Sequence, residues 1–154
     1  MESKENCLYF PMFINLQDKE ILVVGGGKVA LRKTGTLVRF CEKIRVVAPA
    51  FLQGFEQLQV TCICRKFRME DLNETDLAII ATDDAQLNEK IAARCREQGI
   101  ICNVASDRKL CDFYFPAVLE QDGVVIGIGS SGNPAKSRAV REQLEAQLKK
   151  HEEV

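Results

Sequence analysis

The sequence predicts an α/β fold in which a doubly wound parallel sheet is followed by a small β-hairpin and one helix. Two observations predict the sheet. Short apolar runs rich in β-branched residues alternate with helical patterns through the first two thirds of the chain, and short polar loops join them. A third observation predicts the hairpin, because after about residue 112 two strand-like runs flank a single turn. We therefore divide the chain into a sheet domain at 1–112 and a hairpin-plus-helix region at 113–154.

The strands of the predicted sheet are short and stop abruptly at glycine, proline or a polar residue. They cover 21–24, 44–47, 60–64, 77–81 and 100–104. One helix is expected over 28–40, and a second between a cap at Asp83 or Asp84 and a stop at Gly99. Because strands and helices alternate with short loops, the sheet is expected to be parallel with right-handed crossovers.

The last third of the chain predicts elements that need a partner. The runs 113–118 and 124–129 are expected to be strands, and Asn133 followed by Pro134 is typical of a helix start. That helix carries one apolar stripe of Val140, Leu144 and Leu148. A hairpin and one amphipathic helix cannot bury their apolar faces alone, so we predict a homodimer built on 113–154.

Composition excludes several classes of protein. The 154 residues are 46% hydrophobic and 28% charged, which is typical of a globular domain and argues against disorder. The net charge of -1 gives no support to a nucleic-acid partner. No apolar run approaches the roughly 18–20 residues of a membrane span, and the polar start at 1–6 is unlike a secretory signal. We expect a cytoplasmic protein with no membrane partner.

Cysteine and histidine usage argues against a metal centre and a catalytic histidine. The seven cysteines are an odd number, and several lie in apolar runs, as expected for free buried thiols in a reducing compartment. The pair Cys62 and Cys64 has no second Cys or His pair nearby, so we expect no metal there. The single histidine, His151, lies four residues from the end.

A glycine-rich turn between the first strand and the first helix carries the clearest chemical signal. The run Gly25, Gly26, Gly27, Lys28, Val29 and Ala30 fits the pattern G-x-G-x-x-A. In a dinucleotide site the first glycine permits the tight turn, the second lets a pyrophosphate approach the backbone, and the third position keeps the helix close to the sheet. The preceding strand and following helix are the context that the pattern requires. The turn predicts a Rossmann-like dinucleotide-binding domain, against the alternative of a glycine turn without a ligand.

The choice between NAD and NADP stays open on physical grounds. The acidic residue that usually holds the ribose 2′-hydroxyl is absent at the end of the second strand, where the sequence has Ala48 and Pro49. Arg45 could favour the 2′-phosphate of NADP, but its place inside the strand equally suits a structural role.

Polar residues follow the fourth and fifth strands, at the edge where open α/β sheets bind ligands. Thr82 is expected to donate to a ribose or nicotinamide group, or only to cap the next helix. Asn103 is a candidate substrate contact. The segment from Asn103 to Asp107 has one carboxylate, that of Asp107, which is a candidate proton acceptor or metal-facing group, or only a surface turn residue. The loop containing Ser130 and Ser131 precedes a helix and could receive carboxylates of an acidic ligand, or be only a turn.

Several segments, taken in order from about residue 8 to 148, resemble the precorrin-2 dehydrogenase family. They are Tyr-Phe-Pro-Met-Phe at 9–13, the glycine turn through Lys33, Ala-Thr-Asp-Asp at 81–84, Cys-Asn-Val at 102–104, Phe-Tyr-Phe-Pro-Ala at 113–117 and Gly-Ser-Ser-Gly-Asn-Pro at 129–134. The family includes the amino-terminal part of siroheme synthase and a fungal bifunctional dehydrogenase/ferrochelatase. The resemblance implies oxidation of precorrin-2 to sirohydrochlorin with NAD, and in some members insertion of ferrous iron.

The resemblance also implies site residues and two departures. Lys28, Val29, Pro49 and Ala50 match the family's cofactor contacts, and Ser130 matches a serine near the tetrapyrrole. The family's catalytic aspartate corresponds to Ser106, and Asp107 follows it. We predict Asp107 as the proton acceptor, because no histidine is available to activate a serine. The family's further helical domain is expected to be absent after Val154.

The competing prediction is a non-catalytic NAD-sensing module. Such modules share the glycine turn but normally keep the acidic residue after the second strand, and they do not need the Phe-Tyr-Phe-Pro segment. A third hypothesis, a ferrochelatase alone, would insert iron without requiring NAD.

Overall fold

The computed structural model describes residues 9–152, and the side chains of residues 9–149. The elements are β1 (Ile21–Val24), α1 (Lys28–Leu37), β2 (Ile44–Ala48), β3 (Thr61–Cys64), β4 (Leu77–Ile80), α2 (Ala85–Gln98), β5 (Ile101–Val104), β6 (Ala117–Gln121), β7 (Val124–Ile128) and α3 (Pro134–Glu152). Residues 14–114 form one compact unit, and the described residues outside that range belong to a second. The polar start and Cys7 lie outside the described residues, as does the side chain of His151. The functional division at residue 112 stays a prediction.

The larger unit is a five-stranded parallel sheet with the order β3-β2-β1-β4-β5. The order reverses direction between β1 and β4, and such a switch point opens a crevice at the carboxyl ends of the strands. All four residues of β1 and of β4 are buried, which explains their continuous apolar sequences. The predicted fold class is confirmed.

The two helices of this unit cover opposite faces of the sheet. Cys102 and Val104 of β5 pack in one apolar cluster with Ile91 of α2. Asn103 lies between them and faces the other way, since side chains alternate along a strand, and it bonds to Lys33 of α1. The sheet is therefore doubly wound, as predicted.

Three details of the predicted elements differ in the structure. Helix α1 ends at Leu37, and only turns follow it to Phe40. The first hairpin strand begins at Ala117 rather than at 113, because Pro116 has no N–H to donate to a ladder. Cys62 and Cys64 are exposed rather than buried, since β3 is an edge strand.

The second unit contains the antiparallel hairpin β6-β7 and α3. Asp122 and Gly123 form its two-residue turn with φ values of 51° and 77°, the combination that suits tight hairpins. The side chain of Asn133 accepts from the backbone N–H of Lys136 at 3.1 Å, which confirms the predicted start of α3. None of the described helices is both long and apolar enough to span a membrane.

Candidate functional site

The candidate site lies at the carboxyl edge of the five-stranded sheet. The register pairs Val24 with Val47 and with Ile80, and pairs Ile80 with Val104. The loops that follow β1, β2, β4 and β5 therefore begin at one level and meet at one edge. Every cofactor residue predicted from the sequence belongs to one of these loops or to the start of α1.

Gly25 and Gly26 pack tightly against the neighbouring loops. Gly25 has a φ of +122°, and a Cβ there would overlap the carbonyl oxygen of Ala81. A Cβ on Gly26 would overlap the carbonyl oxygen of Ala50 in the same way. Only glycine fits at either position. The turn that follows β1 is therefore in close contact with the loops that follow β2 and β4.

Gly27 differs from its neighbours because the space before it is open. A Cβ on Gly27 would meet no atom within 4 Å, and its backbone is extended, with φ −87° and ψ −170°. No side chain of the described residues caps α1, which begins at Lys28. The exposed Lys28 and Val29 follow, so the first-turn N–H groups face open space with the positive end of the helix dipole. This geometry fits a pyrophosphate.

The loop after β2 supplies a neutral wall. Pro49 and Ala50 are exposed, and Cys64 donates its thiol to the Pro49 carbonyl at 3.4 Å. Arg45 points elsewhere: its guanidinium donates to the carbonyl oxygens of Asp71 and Asn73, which precede β4 at the opposite edge of the sheet. Arg45 is therefore not placed to hold a ribose 2′-phosphate, and its structural role is the one observed.

Thr82 and Ser106 are joined through Asn88, a residue that sequence analysis missed. Thr82 donates from Oγ1 to Oδ1 of Asn88 at 2.5 Å, and Asn88 donates from Nδ2 to the Thr82 carbonyl at 2.9 Å. The same Nδ2 donates to Oγ of Ser106 at 3.1 Å. Asn88 is only 1% exposed, so this amide fixes the loops after β4 and β5 to each other.

Asp107 is only partly exposed, and its carboxylate starts the turn that follows β5. Its Oδ1 accepts from the backbone N–H of Lys109 at 2.8 Å and so caps the short 3-10 helix Arg108–Leu110. This contact holds the carboxylate at the sheet edge and leaves its second oxygen for another partner.

Asn103 is buried and its amide is committed to internal partners. Its Oδ1 accepts from Lys33 Nζ at 2.5 Å, and its Nδ2 donates to the Phe113 carbonyl at 2.9 Å. Asn103 thus ties α1 to the segment after β5, and the predicted substrate contact stays a prediction. Burial, with a smaller effect from the charge on Arg32, lowers the pKa of Lys33 to about 8.

Lys33 should make the free energy of unfolding depend on pH in the alkaline range. Since its folded pKa of about 8 lies below the ordinary 10.5, the unfolded chain binds more protons between these values, and stability rises with pH across that window. The full shift corresponds to about 3 kcal/mol. We expect the free energy of urea unfolding of the wild type, minus that of Lys33→Met, to rise from pH 8 to pH 10. The difference is the measure because buried thiols such as Cys41, whose pKa is raised by burial, act in the opposite direction and are common to both proteins. An equal pH dependence in both proteins would contradict it.

Ser130 and Ser131 lie in the second unit and are described there by themselves. The Ser130 hydroxyl bonds to the Asn133 carbonyl and lies 2.6 Å from Oγ of the buried Ser137. Ser131 is exposed with a φ of 43°. Their role as substrate contacts stays a prediction.

One sequence signal could have revealed Lys33 and Asn88. Each occupies a core position of its helix: the buried residues of α1 are Ala30, Lys33, Thr34 and Leu37, and those of α2 are Asn88, Ile91, Ala92 and Cys95. The large majority of polar side chains at such positions are hydrogen-bonded to internal partners. The sequence alone does not say which partners, because they come from other elements.

A comparison with protein families matches the part of the chain that forms this edge of the sheet. The family described as “Putative NAD(P)-binding” matches residues 12–117, which include β1 to β5 and the glycine turn. The chain belongs to this NAD(P)-binding family. The predicted nicotinamide dinucleotide class of cofactor is thereby confirmed.

Curated relatives of similar sequence are siroheme synthases, whose amino-terminal part belongs to the family that the sequence resembles. Siroheme synthase 1 of Serratia proteamaculans is 38% identical over 145 residues, which cover 91% of this chain and 30% of that protein. Siroheme synthase of Nitrosomonas europaea is 35% identical over 144 residues, covering 90% and 30%. The chain thus spans about 30% of the length of these relatives.

The solved structure “SirC, precorrin-2 dehydrogenase” has the same fold. It superposes with a TM-score of 0.74 at 23% identity, covering 90% of this chain and 71% of that one. The predicted architecture is thereby confirmed for the described residues.

Proposed function

We propose that this chain oxidises precorrin-2 to sirohydrochlorin in siroheme synthesis, with NAD as the hydride acceptor, in the cytoplasm. The observation that carries the proposal is the open first turn of α1 at Gly27, placed beside the Thr82 and Ser106 loops at one sheet edge. Its support is the NAD(P)-binding family and the siroheme synthases of similar sequence.

Different residues of this sheet edge bind different parts of the cofactor. The backbone N–H groups that follow Gly27 hold the pyrophosphate, and Gly25 with Gly26 brings that backbone close to the strands. Pro49 and Ala50 border the adenosine half, while Thr82 lies towards the nicotinamide half. NAD bound along this edge supplies the redox chemistry as hydride acceptor. The protein contributes position and the exclusion of water.

Asp107 is the proposed proton acceptor, and its replacement should lower turnover. Asp107→Ala and Asp107→Asn are both expected to reduce turnover at least about tenfold, since general-base losses are typically ~10²–10⁴-fold. Asn keeps an oxygen to cap Lys109 but has no basic carboxylate, so Asp107→Asn separates proton transfer from loop structure. NAD affinity should change less than about twofold in calorimetry.

Ser106→Ala provides the comparison for Asp107 and should cost less turnover. A larger loss of turnover in Ser106→Ala than in Asp107→Ala would show that the assignment of the proton acceptor to Asp107 is wrong. Full turnover in Asp107→Asn would remove this carboxylate from the chemistry.

One assay separates the proposed activity from its alternatives. Precorrin-2, NAD and ferrous iron are mixed with the protein, and the spectra of NADH, sirohydrochlorin and siroheme are followed. Formation of NADH and sirohydrochlorin together is expected. NAD binding without turnover would favour a non-catalytic sensing module, and iron insertion without an NAD requirement would favour a ferrochelatase alone. Siroheme formed after NADH would add ferrous iron as a second substrate.

The region 113–154 is the proposed dimer interface. Val124 is 60% exposed, and Val140, Leu144 and Leu148 are only half-buried within the chain. An apolar surface of this kind is unfavourable in a monomer. Light scattering at micromolar concentration is expected to give twice the chain mass of 17.3 kDa. A particle of one chain mass would contradict the dimer.

A further inference from the structure

The hydrogen-bond roles of the Thr82 and Ser106 hydroxyls at the sheet edge follow from the orientation of the Asn88 amide. The Thr82 carbonyl oxygen can only accept a hydrogen bond, so the atom 2.9 Å from it must be Nδ2 of Asn88. That fixes which end of the Asn88 amide is nitrogen. Both hydrogens of Nδ2 are then assigned, one to the Thr82 carbonyl and one to Oγ of Ser106.

This orientation of the amide gives the two hydroxyls opposite roles. Oδ1 of Asn88 receives the hydrogen of Thr82, whose Oγ1 in turn accepts from the Asp84 N–H at 3.2 Å. The Thr82 hydrogen is therefore used inside the protein. Ser106 faces an NH₂ group that can only donate, so its Oγ accepts and its own hydrogen is left over. Ser106 is exposed, and none of the side chains described at residues 9–149 accepts that hydrogen.

We infer that Asn88 is a positioning residue that orients Ser106 as a hydrogen-bond donor towards an oxygen atom of the bound ligands. This rests on the proposed function only for the identity of those ligands. The hydrogen-bond acceptor is an electron-rich carbonyl or carboxylate oxygen. Two ligands could supply it: NAD through its carboxamide, or the tetrapyrrole through one of its carboxylates. A serine donor suits either oxygen.

Equilibrium binding tests the donor role without needing turnover. NAD affinity is measured by calorimetry, and the affinities of precorrin-2 and sirohydrochlorin by absorbance titration without NAD. Ser106→Ala should weaken one of these affinities by about 5–10-fold, the net value of one hydrogen bond. The ligand whose affinity falls is the source of the acceptor. Ser106→Thr keeps the hydroxyl and should restore binding to within about twofold.

A double-mutant cycle tests the positioning role of Asn88. Asn88→Ala should weaken the same affinity about threefold, and should have no further effect in the Ser106→Ala background, because Asn88 acts through Ser106. Thermal unfolding of each variant measures the structural cost separately. Equal affinity losses in both backgrounds would mean that Asn88 acts through Thr82 or through the stability of the fold, and would overturn its role in positioning Ser106. If Asn88→Ala does not fold, Asn88→Ser replaces it in the cycle.

The outcomes separate this inference from the proposed function. If Ser106→Ala changes none of the three affinities by more than about twofold, the donor role is wrong, whatever the wild-type turnover is. If the wild type binds NAD but does not oxidise precorrin-2, the proposed function fails while the binding series still decides the role of Ser106.

Discussion

Gly27→Val is expected to weaken NAD binding by about 100-fold, equivalent to ~2.7 kcal/mol, while the chain stays folded. The extended backbone of Gly27 accepts a β-branched residue, and a Cβ there meets no atom within 4 Å. The new side chain instead fills the open space through which a pyrophosphate would approach the N–H groups of α1. Calorimetry with NAD and thermal unfolding of the same preparation measure the two effects.

Gly27→Ser is the matched variant for this prediction. Serine is a good N-cap, so it should stabilise the fold by roughly 0.3 kcal/mol. Its hydroxyl would accept from a backbone N–H group that otherwise binds the phosphate. Stability and NAD affinity should thus change in opposite directions. Unchanged NAD affinity in a folded Gly27→Val protein would remove the turn from the cofactor site.

Gly25→Ala is expected to destabilise the fold itself, by about 3 kcal/mol or more. The Cβ would overlap the Ala81 carbonyl oxygen, and the φ of +122° lies in a region that L-residues rarely adopt. Relief of this overlap would separate the loops after β1 and β4, so NAD affinity should fall as well. A chain of this size would lose about 10 °C in the midpoint of thermal unfolding.

Gly35→Ala is the control for Gly25→Ala. Gly35 lies inside α1, and a Cβ there meets no atom within 4 Å. Alanine should stabilise the helix by about 0.5–1 kcal/mol with NAD affinity unchanged. A Gly25→Ala protein as stable as the wild type would show that the close contact between Gly25 and Ala81 does not constrain this turn.

The architecture could be predicted from the sequence because its signals are local. The apolar strands at 21–24 and 77–80, the glycine turn and the Asn133 cap each depend on a few neighbouring residues, and the structure has each of them in place. The bounds of an element are harder to predict where two local preferences compete. The segment at 113–116 has aromatic residues that favour a strand, but its proline ends the ladder before it begins.

The sequence by itself determined the fold class, the glycine turn and the family of dinucleotide sites to which that turn belongs, since these depend on periodicity and on backbone conformations open only to glycine. Only the tertiary structure decided the direction of polar side chains. It placed Arg45 at the opposite edge, buried Lys33 against Asn103, and joined Thr82 to Ser106 through Asn88. The physical reason is that a buried polar group is oriented by the hydrogen-bond partners it finds in other elements, up to 70 residues away along the chain for Lys33 and Asn103.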